Sequence, residues 1–155
     1  QYIDFKNARN DFDGEIERLI SKGFITKRQG EVLDRNKLLN LVNSPLTDRI
    51  VNSEKVYREF KFYTKILAKD ALENVPENFS EQKIILQGAV DLAFVEDNSL
   101  VIVDYKTDRI KDVSELKELY SQQLLLYKNA MEQCTPYKVS KCIIYSITLG
   151  DFVEV

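Results

Sequence analysis

Histidine and tryptophan are missing from this sequence altogether, methionine occurs once, and cysteine only twice. Cys134 and Cys142 form no CxxC pair, which leaves too few ligands for a structural zinc or an iron–sulfur cluster built from this chain alone. They read instead as small buried hydrophobes of a reducing compartment. No apolar run approaches the ~20 residues that a membrane-spanning helix needs. The longest, around Ile84–Phe94 and Cys142–Ile147, are interrupted by Gln87, Asp91 and Ser146. A basic-then-apolar leader is also absent, so a cytoplasmic protein is expected. No GxxxxGK[ST] stretch occurs, which excludes an ATP site of that type in this chain. The chain opens at Gln1 and its sole methionine is Met131, so the expectation is a piece of a longer protein.

Positive charge is in short supply too. With 22 Lys and Arg against 25 Asp and Glu, the net charge is −3, which argues mildly against holding nucleic acid by bulk electrostatics. An enzyme that binds a metal through carboxylates escapes part of that objection. At 155 residues the chain is one domain, long enough to bury roughly 70% of its unfolded surface. No repeat or low-complexity segment divides it.

What is present reads first as helices. Ile16, Leu19 and Ile20 recur at helical spacing, with Gly23 placed as a C-terminal cap. Thr26 and Gln29 form a capping box ahead of a second helix carrying Val32, Leu33, Leu38, Leu39, Leu41 and Val42. Ser44 followed by Pro45 opens a short third helix. After residue 53 the period changes. Val56–Tyr63 alternates and is rich in aromatic residues, which predicts a strand; residues 83–95 predict a second. An acidic turn at Glu96, Asp97 and Asn98 leads into a third, Leu100–Thr107. Asp112 and Glu115 cap a long helix to about Glu132, and Val139–Thr148 predicts a last strand, parallel to one of the first three. The expected architecture is α/β: helices over residues 1–53, then a three-strand meander, a helix and a strand over 54–155.

The candidate chemistry lies on the second and third strands. Asp104 and Lys106 share a face, opposite Val101, Val103 and Tyr105. Asp91 shares its face with Gln87, Ala89 and Ala93, while Leu86, Val90, Leu92 and Phe94 form a core face. A short turn brings Asp91, Asp104 and Lys106 together. Two adjacent carboxylates repel and are costly to bury, and a divalent cation relieves both problems. Hard oxygen ligands select magnesium or manganese. Lys106 can hold or deprotonate a metal-held water and stabilise a charged transition state. An Asp and a Lys two apart on a strand are, by themselves, most often a solvent-facing pair. On the following helix Tyr120, Gln123 and Tyr127 form one stripe. A buried glutamine there needs a partner, for which a backbone or phosphate oxygen would serve.

Gly88-Ala89-Val90-Asp91, then Val103-Asp104-Tyr105-Lys106-Thr107-Asp108, then Tyr120-Ser121-Gln122-Gln123-Leu124-Leu125-Leu126-Tyr127 together resemble the nuclease motifs of the RecB/AddA branch of the PD-(D/E)XK nucleases. The likeness spans most of the chain. Val56-Tyr57-Arg58-Glu59-Phe60-Lys61-Phe62 resembles the glutamate-bearing strand ahead of the first acidic motif. The resemblance implies a restriction-endonuclease-like core and a magnesium-dependent DNA exonuclease domain, with manganese able to substitute. Asp91 and Asp104 would be metal ligands, the Tyr105 carbonyl a third, and Lys106 the catalytic lysine. Gln123 and Tyr127 would position substrate or support the site, and Glu59 would support it. The implied partners are single-stranded DNA released by helicase domains of the same parent chain, and a second subunit, AddB/RexB-like. The implied role of that assembly is double-strand break repair and recombination. The family usually adds a histidine from a helix upstream of this segment, and this chain has none. The expectation is that this helix precedes Gln1 and that the fragment binds metal weakly. Two alternatives stand beside this reading: a silent nuclease fold that only contacts DNA or the partner subunit, and a stand-alone RecB-like nuclease. Arg49, Lys55, Arg58, Lys61, Lys65 and Lys69 form either a phosphate track or a solvated surface.

Overall fold

The computed structural model describes residues 2–72 and 74–155. Local capping chemistry sets the helices at the start. Asp4 accepts the amides of Lys6 and Asn7 and begins α1 (Phe5–Asn10); Asp11 does the same for Gly14 and begins α2 (Phe12–Ser21). Gly23, at φ 73°, ends α2, and Phe24 N–H donates back to the Leu19 carbonyl at 2.9 Å. The Thr26–Gln29 capping box is present and opens α3 (Lys27–Val32).

The expected second helix is in fact two. Leu33 is extended (φ −62°, ψ 131°), and Asp34 then accepts the Lys37 amide at 3.2 Å to start α4 (Arg35–Val42). A carboxylate that can satisfy a new helix start competes with continuing the old one. Val32, expected in the apolar stripe, is accordingly 75% exposed. Ser44 caps α5 (Pro45–Asn52), with Pro45 in the first turn.

The sheet follows: β1 (Lys55–Leu67), two short helices α6 (Ala68–Ala71) and α7 (Glu77–Ser80), β2 (Lys83–Glu96), β3 (Ser99–Lys106), the long α8 (Ser114–Cys134), β4 (Val139–Ser146) and β5 (Asp151–Glu154). The strands lie in chain order, β1–β2–β3–β4–β5. β1, β2 and β3 are an antiparallel meander, β4 is parallel to β3 after the α8 crossover, and β5 returns antiparallel to β4. The β2–β3 turn places Asp97 and Asn98 at φ 50° and 57°, the two-residue geometry whose twist matches a hairpin. β1 runs four residues past the expected Tyr63, and β5 adds a strand to the four expected.

Both faces of the central strands are buried. On one side Val90, Ala93, Val95, Leu100, Ile102 and Ile144 pack under Leu116, Leu124 and Met131 of α8. On the other, Leu92, Phe94, Val101, Val103, Ile143 and Tyr145 pack under Phe5, Leu41, Val42, Leu46 and Ile50 of the N-terminal helices. Each such aliphatic or aromatic side chain contributes about 1.5–3 kcal/mol by leaving water. This corrects the expected core face of β2. Val90 joins the α8 side, whereas Leu92 and Phe94 join the opposite side, so the two-residue alternation breaks at Asp91. The ladder skips the matching pair: Arg58 faces Leu92 and Phe60 faces Val90, while Glu59, between them, has φ 47°. Cys142 is buried, as expected, but Cys134 is exposed. Among the described residues no helix is long and apolar enough to cross a membrane.

Candidate active site

β2 and β3 part company at the site. Their ladder ends at Leu92 opposite Val103, one residue short of Asp91 and Asp104. Beyond it the Tyr105 amide donates to Asp91 Oδ2 at 3.0 Å, so a side chain takes the place of the next rung. The sequence offers no sign of this bond, because it depends on where two strands separate.

Asp104 and Lys106 do share a face, and Lys106 Nζ lies 2.7 Å from Asp104 Oδ2. Only 4% of the Asp104 side chain and 17% of the Lys106 side chain meet solvent. The ammonium approaches off the line a hydrogen bond requires, and Asp104 Oδ2 is buried without a directed donor. Burial pushes the Asp104 carboxyl above its usual range and the Asp91 charge adds to this, while Lys106 opposes both.

α8 supplies the next layer. Gln123 Oε1 accepts a hydrogen bond from Lys106 Nζ at 2.9 Å, so the glutamine's partner is the lysine rather than a backbone or phosphate oxygen. Lys106 Nζ also stands 4.0 Å from the centre of the Tyr120 ring, a cation–π contact. The Tyr120 hydroxyl donates to Asp108 Oδ1 at 2.9 Å. Asp108 is a member of the site that the sequence reading misses, although it closes the Val103–Asp108 motif two residues after Lys106. Tyr127 packs edge-on against Phe62, ring centres 5.8 Å apart. Its phenol is pushed up by burial first, then by the charges of Asp104 and Asp91, which places it within reach of both carboxylates' fields. Glu59 sits at the kink in β1, at the register position across from Asp91.

The structure therefore brings Asp91, Asp104, Lys106 and Gln123 together, with Tyr105 threaded between them. The Tyr105 ring turns the other way, edge-on to Tyr145 at 6.2 Å, and its hydroxyl is buried without a partner. The basic cluster does not form one track. Arg49 is paired with Glu96 and Lys69 with Glu81, while Lys55 lies over Tyr57 and Arg58 over Phe5.

This donor set fits a hard divalent cation on two counts. Its ligands would all be oxygens, and a buried carboxylate oxygen lacks a directed donor. Among the described residues no group of three or more His, Cys, Asp or Glu side chains gathers, so the protein contributes two carboxylates and leaves the remaining positions to main chain and solvent.

Comparison with known proteins agrees with the geometry. Over residues 6–150 the chain matches the family described as the PD-(D/E)XK nuclease superfamily. All of it aligns with a segment of an ATP-dependent helicase/nuclease from Clostridium acetobutylicum at 32% identity, and with its counterpart from Clostridium botulinum strain 657 at 33%. It spans only 13% and 12% of the length of those two relatives. A mixed sheet that splits beside an Asp, with Asp-x-Lys on the neighbouring strand and a match covering nearly every residue, establishes that this chain belongs to the PD-(D/E)XK nuclease superfamily.

Proposed function

We propose that the chain is the nuclease domain of a longer helicase–nuclease and hydrolyses DNA phosphodiesters with the help of a divalent metal, magnesium for preference and manganese as a substitute. The observation that carries this reading is Asp104 Oδ2, buried and without a directed donor, within an Asp91–Asp104–Lys106 cluster. Asp91 and Asp104 would hold the metal, with the Tyr105 carbonyl as a third ligand. When bound, such an ion polarises a phosphoryl oxygen and acidifies a water.

The remaining work falls to side chains already in place. Asp104, Gln123 and the Tyr120 ring hold the Lys106 ammonium on three sides. So fixed, Lys106 orients the attacking water and offsets the negative charge that grows on the phosphate oxygens, at no reorganisation cost when reaction occurs. Asp91 is steadied by the Tyr105 amide. Gln123 positions the lysine, and Tyr127 and Glu59 support the walls.

The relatives' name, ATP-dependent helicase/nuclease, supports a parent that unwinds DNA, feeds a single strand to this domain, and works beside a second, AddB/RexB-like subunit. Cytoplasmic repair and recombination of double-strand breaks is the role that fits such an assembly. Residues 1–53 and 54–155 would then act as one domain, the helices backing the catalytic sheet. The test is calorimetric titration of manganese into this chain and into Asp104→Ala. Binding that vanishes in the variant is the expected result; no binding by either would overturn the metal site. One observation favours a second reading, a silent fold that only contacts DNA or its partner subunit: the described residues offer two carboxylates and no third His, Cys, Asp or Glu. Manganese that fails to raise the Tm would decide for it.

A further inference from the structure

Beside Lys106 a groove of about 500 Å³ opens between α8 and the β1–β2 ribbon. Phe62, Tyr120 and Tyr127 bring aromatic surface to it, and Gln87, Gln122 and Gln123 bring amides. None of its lining side chains is charged. It is continuous with the proposed catalytic centre, because Gln123 lines it while accepting from Lys106. One wall is β2 over residues 83–91, which ladders with β1 but, among the described residues, not with β3. That wall therefore keeps a free edge of main-chain donors and acceptors alongside the amides. Gly88 allows the wall to come close: a Cβ there would lie 2.7 Å from Phe62 Cζ.

Phosphates are gripped by lysine and arginine, and this groove has neither. Flat uncharged rings are held by aromatic side chains, and their polar edges by amides and main-chain groups. We infer that the groove between α8 and β2 is a subsite for the unpaired nucleobases of a single strand, next to the phosphate being cut. This rests on the nuclease reading for its place in the reaction, though not for binding itself. It makes the domain selective for single strands without a basic surface, since bases inside a duplex present no free ring face. It also fits a chain of net charge −3.

The probes are a short single-stranded oligonucleotide, its duplex, and an all-abasic strand of equal length that keeps every phosphate. Binding is read by fluorescence anisotropy in chelator, with the chain and with a Gln122→Ala/Leu119→Ala variant. Both positions are exposed on α8 and outside the catalytic cluster, so folding is preserved. The intact strand should bind about tenfold or more tightly than the abasic one or the duplex, from the stacking of even one base. The variant should bind intact and abasic strands alike. Equal binding of intact and abasic strands, no binding of either, or a difference untouched by the variant would overturn the inference. Base-dependent binding without any manganese uptake or cleavage would leave the groove standing and remove the nuclease reading. Manganese-dependent cleavage with base-independent binding would do the reverse.

Discussion

Replacing Gly88 by alanine tests the packing that shapes the site's wall. The added Cβ would lie 2.7 Å from Phe62 Cζ and 3.2 Å from Cε1. The ring has little room to retreat, being 5% exposed with the Tyr127 ring against it. Overpacking of this kind costs about 1–3 kcal/mol. Gly88 does not occupy a positive-φ conformation, so alanine brings no backbone strain, and its smaller unfolded-state entropy returns about 0.4–1 kcal/mol. The steric effect wins, leaving a net loss of about 1–2 kcal/mol, or a fall in Tm of about 2–8 °C for a chain this size. Urea and thermal denaturation measure it. Phe62→Leu removes the clashing ring atoms, so the double variant should lose clearly less than the sum of the two single losses. A neutral or stabilising Gly88→Ala, or strictly additive losses, would refute the argument that Gly88 is there to admit Phe62.

Other expectations follow from separate parts of the molecule. Glu15, with no side-chain exposure, accepts the Asp4 amide at 2.7 Å and two bonds from Arg18. Burial raises its pKa, but Arg18 and the Asp4 amide outweigh this and hold it below the ordinary 4.5. Its stabilisation is present above pH 4.5 and is lost as pH falls through the lowered value; Glu15→Gln should therefore flatten the acid limb of a Tm–pH curve, and an unchanged limb would count against the pairing. Asp34→Ala removes the cap that separates α3 from α4 and should lower stability by about 0.5–2 kcal/mol in urea melts, with no change meaning that the cap is idle. Asp104→Asn should leave the Tm in chelator unchanged or higher, since the carboxylate is buried beside Asp91, while abolishing any manganese-induced rise; a drop of several degrees in chelator would contradict this. In the full-length helicase–nuclease, Lys106→Ala should abolish strand cutting while leaving unwinding intact, and retained cutting would remove Lys106 from the mechanism.

Much of this arrangement is legible in the residues because it depends on neighbours in sequence. Thr26 with Gln29, Ser44 with Pro45, and Gly23 announce helix ends through bonds that span only a few positions. Asp104 and Lys106 share a face because strand periodicity is local. What stays hidden depends on distant partners. The reversal at Asp91 arises where β1 loses one rung and Glu59 turns to positive φ, and a period-two reading assumes an unbroken rung. Gln123 reads as needing an oxygen, since nothing in α8 alone shows that an ammonium on β3 reaches it. Asp34 escapes notice because the apolar spacing from Val32 to Val42 runs straight through it. β5 is four residues long and stands only because β4 pairs with it.

The order in which the strands pair bears on when this chain becomes able to cut. Asp91 gains its amide partner only after the hairpin from β2 to β3 has formed and opened at its far end. Lys106 gains Gln123 only when α8 has folded back across the sheet, the same step that seats β4 against β3. Contacts closed over such intervals form late, after local helices and turns. A chain still emerging from synthesis thus carries all its acidic residues and its lysine but no assembled centre. For a protein whose chemistry would damage any strand within reach, dispersing the parts until the last crossover closes acts as a built-in delay.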